Sequence, residues 1–362
     1  MRATMRLHAL ARRATSGTVP ANRSNNVAFI GLGRMGYEMA TNLWKKKFTD
    51  NNSGELIVCD ARQEVAMRFV EETSGKNASF VKTPREAVLS AGTIITMLPS
   101  SPHVLSVYEG FSEGIIPALK ELSAEEAQKT LCIDSTTCHV STSQELSQIL
   151  GEVQVNIVDA PVSGGVSGAK AGTLSFLVGG PENSFALAVP FLNLMGKRVI
   201  HCGPSGSGLA AKICNNMVLG VQQAVVAEAM LLGQRLGLDP KVLARVINSS
   251  TGRCWASEVN NPVKDAVEVP EGQAGPPAQR KYEGGFAASL MLKACDRLFV
   301  LVSPLAKVTF KDMGLATGSG KILNVPLPLG KKAEEVYAEM LKTKPELANR
   351  DFSSVYKYLE EL

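Results

Sequence analysis

Acidic residues are missing from positions 1–26 of this 362-residue chain, which contain five arginines. Without those five, 33 of the 38 basic residues remain against 34 acidic ones, a net charge of −1. This balance argues against the basic folded surface of a nucleic-acid-binding protein, so we expect no nucleic-acid partner. An acid-free, Arg-rich leader that can form an amphipathic helix is typical of a mitochondrial transit peptide; a disordered tail is the alternative. We therefore predict a transit peptide over 1–26 and a location in the mitochondrial matrix.

Metal-binding and disulfide patterns are also scarce. The chain has four scattered histidines and seven cysteines with no CxxC pair, which favours reduced thiols and no metal site. We see no apolar run approaching the length of a membrane span, and expect no membrane partner. The composition, 45% hydrophobic and 20% charged, is that of a globular protein long enough for two domains.

A dinucleotide-binding pattern opens the region after the leader. The apolar run Val27–Ile30 is followed directly by GxGxxG and then by an amphipathic helical pattern through Leu43. Such glycines allow a tight turn and a close approach of the backbone to a pyrophosphate at a helix N-terminus. Asp60 ends the strand-like "ELIVCD", where a carboxylate binds ribose hydroxyls and repels a 2′-phosphate, so we predict NAD. Arg62 could weaken that preference, although a solvated cation at a helix start is the simpler interpretation. The candidate cofactor-binding residues here are Gly31, Leu32, Gly33, Arg34, Met35, Gly36 and Asp60.

Three further apolar runs, "TIITMLPSS", "TLCIDSTTC" and "VNIVDAPVSGG", each lead into Pro, Ser, Thr or Gly. Repeated strand–helix units predict an α/β fold, a Rossmann-type doubly wound parallel sheet, whose ligands lie beyond the carboxyl ends of the strands. Candidates for the nicotinamide side are Leu98, Pro99, His103 and Thr137. His103 could be mistaken for a general acid, but we interpret it as a cofactor contact or a surface residue.

Two later segments could carry the chemistry. Ser163, Gly164 and Gly165 offer a hydroxyl and unobstructed backbone N–H groups that suit a small carboxylate; a glycine-rich turn is the alternative. Residues 208–237 form a long apolar helical pattern, expected to be buried between two domains. In its first turns Lys212 shares one face with Asn215 and Asn216, and a structural lysine with only its stem buried is the alternative.

The stretches "FIGLGRMG", "DAPVSGGVSGAKAGTL" and "GSGLAAKICNNM" resemble, in order and spacing, the β-hydroxyacid dehydrogenase family. "GRCWASEVNNPV", "YEGGFAASLMLK" and "DFSSVYKYL" are similar to its mitochondrial branch, which oxidises 3-hydroxyisobutyrate with NAD in valine breakdown. The resemblance implies a Rossmann domain, a long interdomain helix and an all-α C-terminal domain that helps to form a homo-oligomer. We place the two domains at 27–203 and 204–362.

The resemblance also implies residue roles. Lys212 would be catalytic, Ser163, Gly164 and Gly165 would hold the substrate carboxylate, and Asn216 would orient substrate and lysine. Either Lys212 is a base with a pKa below the ordinary value of about 10.4, or it stays charged and polarises the substrate oxygen while water removes the proton. Another β-hydroxyacid, such as a substrate of tartronate semialdehyde reduction, and a non-catalytic dinucleotide-binding protein are the competing hypotheses.

One segment interrupts the resemblance. Removing 18 residues, 294–311 or equivalently 293–310, leaves "GGFAASLMLKDMGLATGSG", which matches the family's motif of a lysine followed by aspartate that contacts the cofactor. The removed piece is strand-like and contains Pro304, which fits poorly inside a helix. We therefore expect 294–311 to be an insertion from a retained intron or an alternative exon boundary, against a lineage-specific one. Lys293 and Lys311 are both candidates for the cofactor contact, with Lys311 favoured by its link to Asp312.

Overall fold

The computed structural model describes residues 23–49, 54–269, 275–283, 285, 287–289, 293–295, 309–310 and 313–362. Residues 1–22 of the predicted leader lie outside the described residues. The chain divides into two compact units, 1–212 and 213–362. The described chain starts with a 3₁₀ turn, Arg23–Asn25, whose buried Arg23 donates from Nε to the Val88 carbonyl at 3.0 Å.

The first unit is built on nine strands. They are β1 (Val27–Ile30), β2 (Leu56–Cys59), β3 (Ala78–Phe80), β4 (Thr93–Thr96), β5 (Leu131–Asp134), β6 (Asn156–Asp159), β7 (Val162–Ser163), β8 (Leu174–Gly179) and β9 (Gly196–Gly203). Its helices are α1 (Arg34–Lys47), α2 (Gln63–Glu72), α3 (Pro84–Ser90), α4 (Ser101–Glu109), α5 (Ile115–Leu119), α6 (Ala124–Gln128), α7 (Val140–Glu152), α8 (Gly165–Ala171) and α9 (Glu182–Met195). Helix α10 (Ser207–Arg235) begins in this unit and continues into the second.

The strands form one sheet in the order β3-β2-β1-β4-β5-β6-β8-β7, with β9 paired to β8. Strands β1 to β6 are parallel, as the predicted Rossmann-type fold requires. The sheet is mixed beyond β6, because β8 runs antiparallel to β6 and β7. The chain reverses between β7 and β8, because the connection from Ser163 to Leu174 is too short for a parallel crossover, which needs a dozen or more residues.

Apolar side chains of β1 alternate between two cores on opposite faces of the sheet. Val27 and Phe29 join the cluster that contains α1, α2 and α9, whereas Ala28 and Ile30 join the one that contains α3, α4 and α7. Buried on both faces, such strands are continuous apolar runs in the sequence. Helix α1 ends at Lys47, one turn beyond the predicted end at Leu43.

The second unit is mainly helical. After α10 it contains α11 (Pro240–Ser249), α12 (Trp255–Glu258), α13 (Met313–Ile322), α14 (Pro328–Thr343) and α15 (Val355–Glu360). Its core includes Met230, Tyr337 and Phe352. The helical expectation holds with one difference: β10 (Lys293–Cys295) and β11 (Thr309–Phe310) pair antiparallel. The two ends of the expected insertion therefore lie side by side, and 296–308 is outside the described residues.

Helix α10 agrees with the predicted span of 208–237 to within two residues. By length and composition it could cross a membrane, as buried core helices also can. It is also not buried all round, because Val218, Val225 and Leu232 are more than half exposed. Their seven-residue spacing places them on one face of the helix.

Candidate active site

The turn after β1 has the shape that a dinucleotide requires. Gly31 has a φ of +97°, and a Cβ there would lie 2.4 Å from the Met97 carbonyl oxygen. Gly36, inside α1, lies so close to the turn that a Cβ would meet the Gly31 oxygen at 2.0 Å. Gly33 has open space where its Cβ would be, and it immediately precedes the first residue of α1. The turn is therefore tight at two glycines and accessible at the third, as close approach of a pyrophosphate requires. Of the other predicted residues in the turn, Leu32 is buried, Met35 packs partly against the core and Arg34 is exposed.

Asp60 follows β2 and is fixed against this turn. One carboxylate oxygen accepts the Leu32 backbone N–H at 2.7 Å, and the other accepts the Arg62 N–H at 2.9 Å. The Arg62 side chain is mostly exposed, and its Nε lies 3.6 Å from Asp60. Asp60 is thus held beside the glycine turn, where its carboxylate can bind ribose hydroxyls.

The strands β4 and β5 end beside each other, and their connections carry the predicted nicotinamide-side residues. Leu98 is buried, and its N–H donates to the Thr136 hydroxyl at 2.9 Å. Pro99 is exposed. His103 lies exposed in the first turn of α4, with Nδ1 2.7 Å from the Ser100 hydroxyl oxygen. This exposure agrees with the interpretation of His103 as a surface residue or a cofactor contact.

The side chain of Lys212, on α10, forms hydrogen bonds with a residue that follows β5 and with a residue of β7. Its side chain is 7% exposed, and Nζ donates to the Thr137 hydroxyl at 2.7 Å and to the Val162 carbonyl at 2.9 Å. The ammonium group is therefore buried with its stem, which disagrees with a lysine whose charged end reaches water. Thr137 follows β5 and Val162 belongs to β7, so the lysine lies at the carboxyl-end edge of the sheet.

Ser163, Gly164 and Gly165 begin one residue after the Lys212 acceptor. Ser163 is exposed and is held in place by the pairing of β7 with β8, opposite Ser175. Gly164 and Gly165 have φ values of +133° and +63°, which L-residues with side chains rarely adopt. Consecutive glycines in such a turn present backbone N–H groups that can bind an anion.

The remaining predicted residues follow Lys212 in the chain. Asn216 is buried one turn after Lys212 on α10, whereas Asn215 is exposed and donates to the Asn216 side-chain oxygen at 3.1 Å. The two amides thus differ in environment, although the sequence grouped them. Lys293 starts β10, and Lys311 lies outside the described residues.

Two acidic residues at strand ends were missed by the sequence reasoning. Asp134 ends β5 and Asp159 ends β6, where they are paired across the sheet, and both are buried. Asp134 accepts from the Thr96 hydroxyl at 2.8 Å and from the Thr136 N–H at 3.1 Å. Burial raises the pKa of Asp134 to about 6, an effect that its hydrogen bonds to Thr136 and Thr96 oppose. Their signal in the sequence was an acid closing an apolar run.

Among the residues that the structure describes, no group of three or more His, Cys, Asp or Glu side chains could hold a metal ion. Six cysteines are free thiols; Cys59, Cys132 and Cys138 are buried, and the others are Cys202, Cys214 and Cys254. The chemistry offered by this edge is therefore that of a lysine, hydroxyls and backbone N–H groups.

Comparison with known proteins agrees with this geometry. A family profile described as the NAD binding domain of 6-phosphogluconate dehydrogenase matches residues 26–203. A second, described as NAD-binding of NADP-dependent 3-hydroxyisobutyrate dehydrogenase, matches residues 206–297.

Relatives match over nearly the whole chain. Probable 3-hydroxyisobutyrate dehydrogenase, mitochondrial, of Dictyostelium discoideum is 40% identical over 93% of this chain and 92% of that protein. The mitochondrial 3-hydroxyisobutyrate dehydrogenase of Rattus norvegicus is 40% identical over 92% of this chain and 87% of that protein. A solved structure of the Mycobacterium tuberculosis enzyme with L-serine has a TM-score of 0.76 and 34% identity, covering 93% of this chain and 99% of that one. The chain therefore belongs to the 3-hydroxyisobutyrate dehydrogenase family of NAD-dependent oxidoreductases.

Proposed function

We propose that this protein oxidises 3-hydroxyisobutyrate to methylmalonate semialdehyde with NAD, as a step of valine breakdown. The observation that carries the proposal is the buried Lys212 ammonium, held 2.9 Å from the carbonyl that precedes Ser163. A proton-transferring group and an anion-binding turn thus lie next to each other, as a small hydroxy acid requires.

The residues present fit NAD. Gly33 leaves open space at the start of α1, and Asp60 is held beside the turn by the Leu32 N–H. Gly31–Gly36 would bind the pyrophosphate, Asp60 the adenine ribose, and Leu98, Pro99, His103 and Thr137 the nicotinamide side. When bound, NAD accepts the hydride that leaves C3 of the substrate. The Asp60 carboxylate would repel the additional phosphate of NADP, which gives the preference for NAD.

The other steps belong to this chain's own residues. Ser163 and the N–H groups of Gly164 and Gly165 hold the substrate carboxylate, which orients the hydroxyl toward Lys212. As the C3 hydrogen leaves with its electron pair, the O–H bond breaks and the C=O bond forms. The hydroxyl proton goes either to a neutral Lys212 Nζ acting as base or, where Lys212 stays charged and polarises the oxygen, to a water molecule. Thr137 and Val162 fix Nζ through its two hydrogen bonds, and Asn216 orients substrate and lysine.

Lys212→Ala tests this assignment. It should lower kcat by roughly a thousandfold or more with little change in NAD affinity, because the variant loses the polarising group and keeps the glycine turn. Lys197→Ala is the matched control, since Lys197 is an exposed lysine of β9 in the same unit. Substantial turnover by Lys212→Ala would show that this lysine is not catalytic.

We further propose that the protein acts in the mitochondrial matrix as a homo-oligomer. The Arg-rich, acid-free residues 1–26 support import, and the relatives described above are named as mitochondrial. The exposed face of Val218, Val225 and Leu232 on α10 supports association between copies, because an apolar helix face of this kind is stabilised by burial.

A further inference from the structure

The first turn of α10 receives its cap from a distant residue. The opening N–H groups of a helix have no partners within the helix, and a nearby side chain usually accepts from them. Here one oxygen of Asp159 accepts the Gly206 N–H at 2.6 Å, and the other accepts the Leu209 N–H at 3.0 Å. The carboxylate is 2% exposed and lies 47 and 50 positions before its two donors. The cap therefore joins the end of β6 to the start of the lysine helix.

Two glycines make room for this contact. A Cβ at Gly179, the last residue of β8, would lie 2.5 Å from one Asp159 oxygen. A Cβ at Gly208, in the first turn of α10, would lie 2.8 Å from the other and 2.2 Å from the Leu177 carbonyl oxygen. The helix start, β8 and the carboxylate are thus in contact with no space for another side chain. The contact determines where the helix begins relative to the sheet.

The same contact determines the position of the proposed catalytic group. Lys212 follows the first residue of α10 by about one and a half turns. Its acceptor carbonyl belongs to Val162, three residues after Asp159. A closed path therefore runs from Asp159 through the helix start to Lys212, and back through Val162 to Asp159.

We infer that Asp159 is a positioning residue, which fixes the start of α10 on β6 so that the Lys212 Nζ lies at the proton-transfer position. This inference rests on the proposed function of Lys212. A negative charge at a helix N-terminus is stabilising, and the Asp159 carboxylate lies at the N-terminus of α10. Burial raises the pKa of Asp159, while the Gly206 and Leu209 N–H groups and the Ser143 hydroxyl oppose that rise. Ser163 is held by pairing with Ser175 of β8, four residues before the Gly179 contact, so we expect loss of the Asp159 charge to affect carboxylate binding less than proton transfer.

Asp159→Asn is the test, because it keeps the shape of the side chain but removes the charge and one acceptor. The matched control is Asn26→Asp, the reverse exchange at a buried position. Asn26 precedes β1, at the amino ends of the parallel strands, whereas Asp159 lies at their carboxyl ends. Both variants are assayed as the full chain, with the wild type and Lys212→Ala, at a temperature where all are folded. We expect kcat of Asp159→Asn to fall by about tenfold or more, with the KM for 3-hydroxyisobutyrate and the Kd for NAD within about threefold of wild type. Asn26→Asp should lose stability and keep its kcat.

A kcat of Asp159→Asn within about twofold of wild type, together with a lowered melting temperature, overturns the inference, because Asp159 is then structural only. A fall in kcat matched by Asn26→Asp also overturns it. If Asp159→Asn does not fold, Ser143→Ala removes one hydrogen bond from the same carboxylate at lower cost. Its kcat should fall by about threefold with KM retained, and an unchanged kcat overturns the inference. A wild type that does not turn over 3-hydroxyisobutyrate, or an active Lys212→Ala, refutes the proposed function instead.

Discussion

Asp134 is a carboxyl group with almost no access to water, and its ionisation has a consequence for stability. Burial raises its pKa to about 6, from the ordinary value of 3.8 for an aspartate. The folded protein therefore binds this proton at a pH where the unfolded chain has already lost it. The contribution of Asp134 to stability is complete below about pH 4 and is lost as the pH rises through about 6.

Replacing Asp134 by Asn should remove this pH dependence. The free energy of unfolding of Asp134→Asn, relative to wild type, should increase between pH 4 and pH 7 by roughly 2 to 3 kcal/mol, since one pKa unit corresponds to about 1.4 kcal/mol. Urea denaturation at several pH values measures it. A curve of Asp134→Asn that runs parallel to the wild-type curve would contradict the expected titration.

At single residues, the sequence located Lys212 and Thr137, and the structure places them within 2.7 Å of each other. Lys212 was a candidate because a lysine is unusual in the first turns of an apolar helix, and Thr137 because ligands lie beyond the carboxyl ends of parallel strands. Asp134 and Asp159 were missed for a physical reason: their roles depend on partners 38 to 50 positions away, which no local pattern shows. By spacing, Asn215 and Asn216 each lie on the helix face of Lys212, but Asn216 is buried and Asn215 is exposed.

At the scale of elements, two glycines in the turn from β1 into α1 are expected to have different functions. Gly33 leaves room for the cofactor, and Gly36 allows α1 to pack against the turn. Gly33→Ala places a methyl group in open space, so the fold should tolerate it while the approach of the pyrophosphate is blocked. Gly36→Ala instead meets the Gly31 oxygen at 2.0 Å and should destabilise the unit.

Melting temperature and NAD affinity, measured on both variants, distinguish the two effects. Gly33→Ala should keep the wild-type melting temperature and bind NAD at least about tenfold more weakly, whereas Gly36→Ala should melt lower. Wild-type NAD affinity in Gly33→Ala would show that the dinucleotide does not approach this glycine.

The β10–β11 pair gives a structural basis for testing the insertion. Its register places Lys293 opposite Phe310, so deletion of 294–311 rejoins neighbouring points of the chain. The shortened protein, in which Lys293 is followed by Asp312, should equal or exceed the full chain in NAD affinity, turnover and melting temperature. A full chain that performs as well as the deletion variant or better would contradict the idea of a splicing artefact, as would transcripts that contain only the long form.

The sequence predicted those strands whose local run of apolar residues matches their burial in the folded protein. Strands β1, β2, β4, β5 and β6 are short apolar runs because both of their faces are buried, and this pattern is visible without the fold. Strand β3, with the sequence Ala-Ser-Phe, is too short to show such a pattern and was not predicted. The antiparallel pairing of β8 was not visible, because strand direction depends on connections and distant partners. The exposed face of α10 was missed because its residues are apolar whether they face a core, a membrane or another copy.

At the scale of the whole molecule, that exposed face predicts association. Val225→Glu with Leu232→Glu should shift the protein toward the monomer in light scattering after size-exclusion chromatography, because two charges would be buried against apolar surface. Val242→Glu, at an exposed position of α11, is a control for added charge. If wild type is already a monomer at micromolar concentration, the proposed homo-oligomer is wrong.

The glycine turn, Lys212 and the Ser163 turn together predict a protein that oxidises a small 3-hydroxy acid with NAD. The most direct measurement is a set of steady-state rates for the wild type with 3-hydroxyisobutyrate and other 3-hydroxy acids, and with tartronate semialdehyde in the reverse direction, each with the matching form of NAD or NADP. We expect the highest kcat/KM for 3-hydroxyisobutyrate with NAD, by about tenfold or more over each alternative. Preference for tartronate semialdehyde or NADP, or the absence of turnover with every compound, would contradict it.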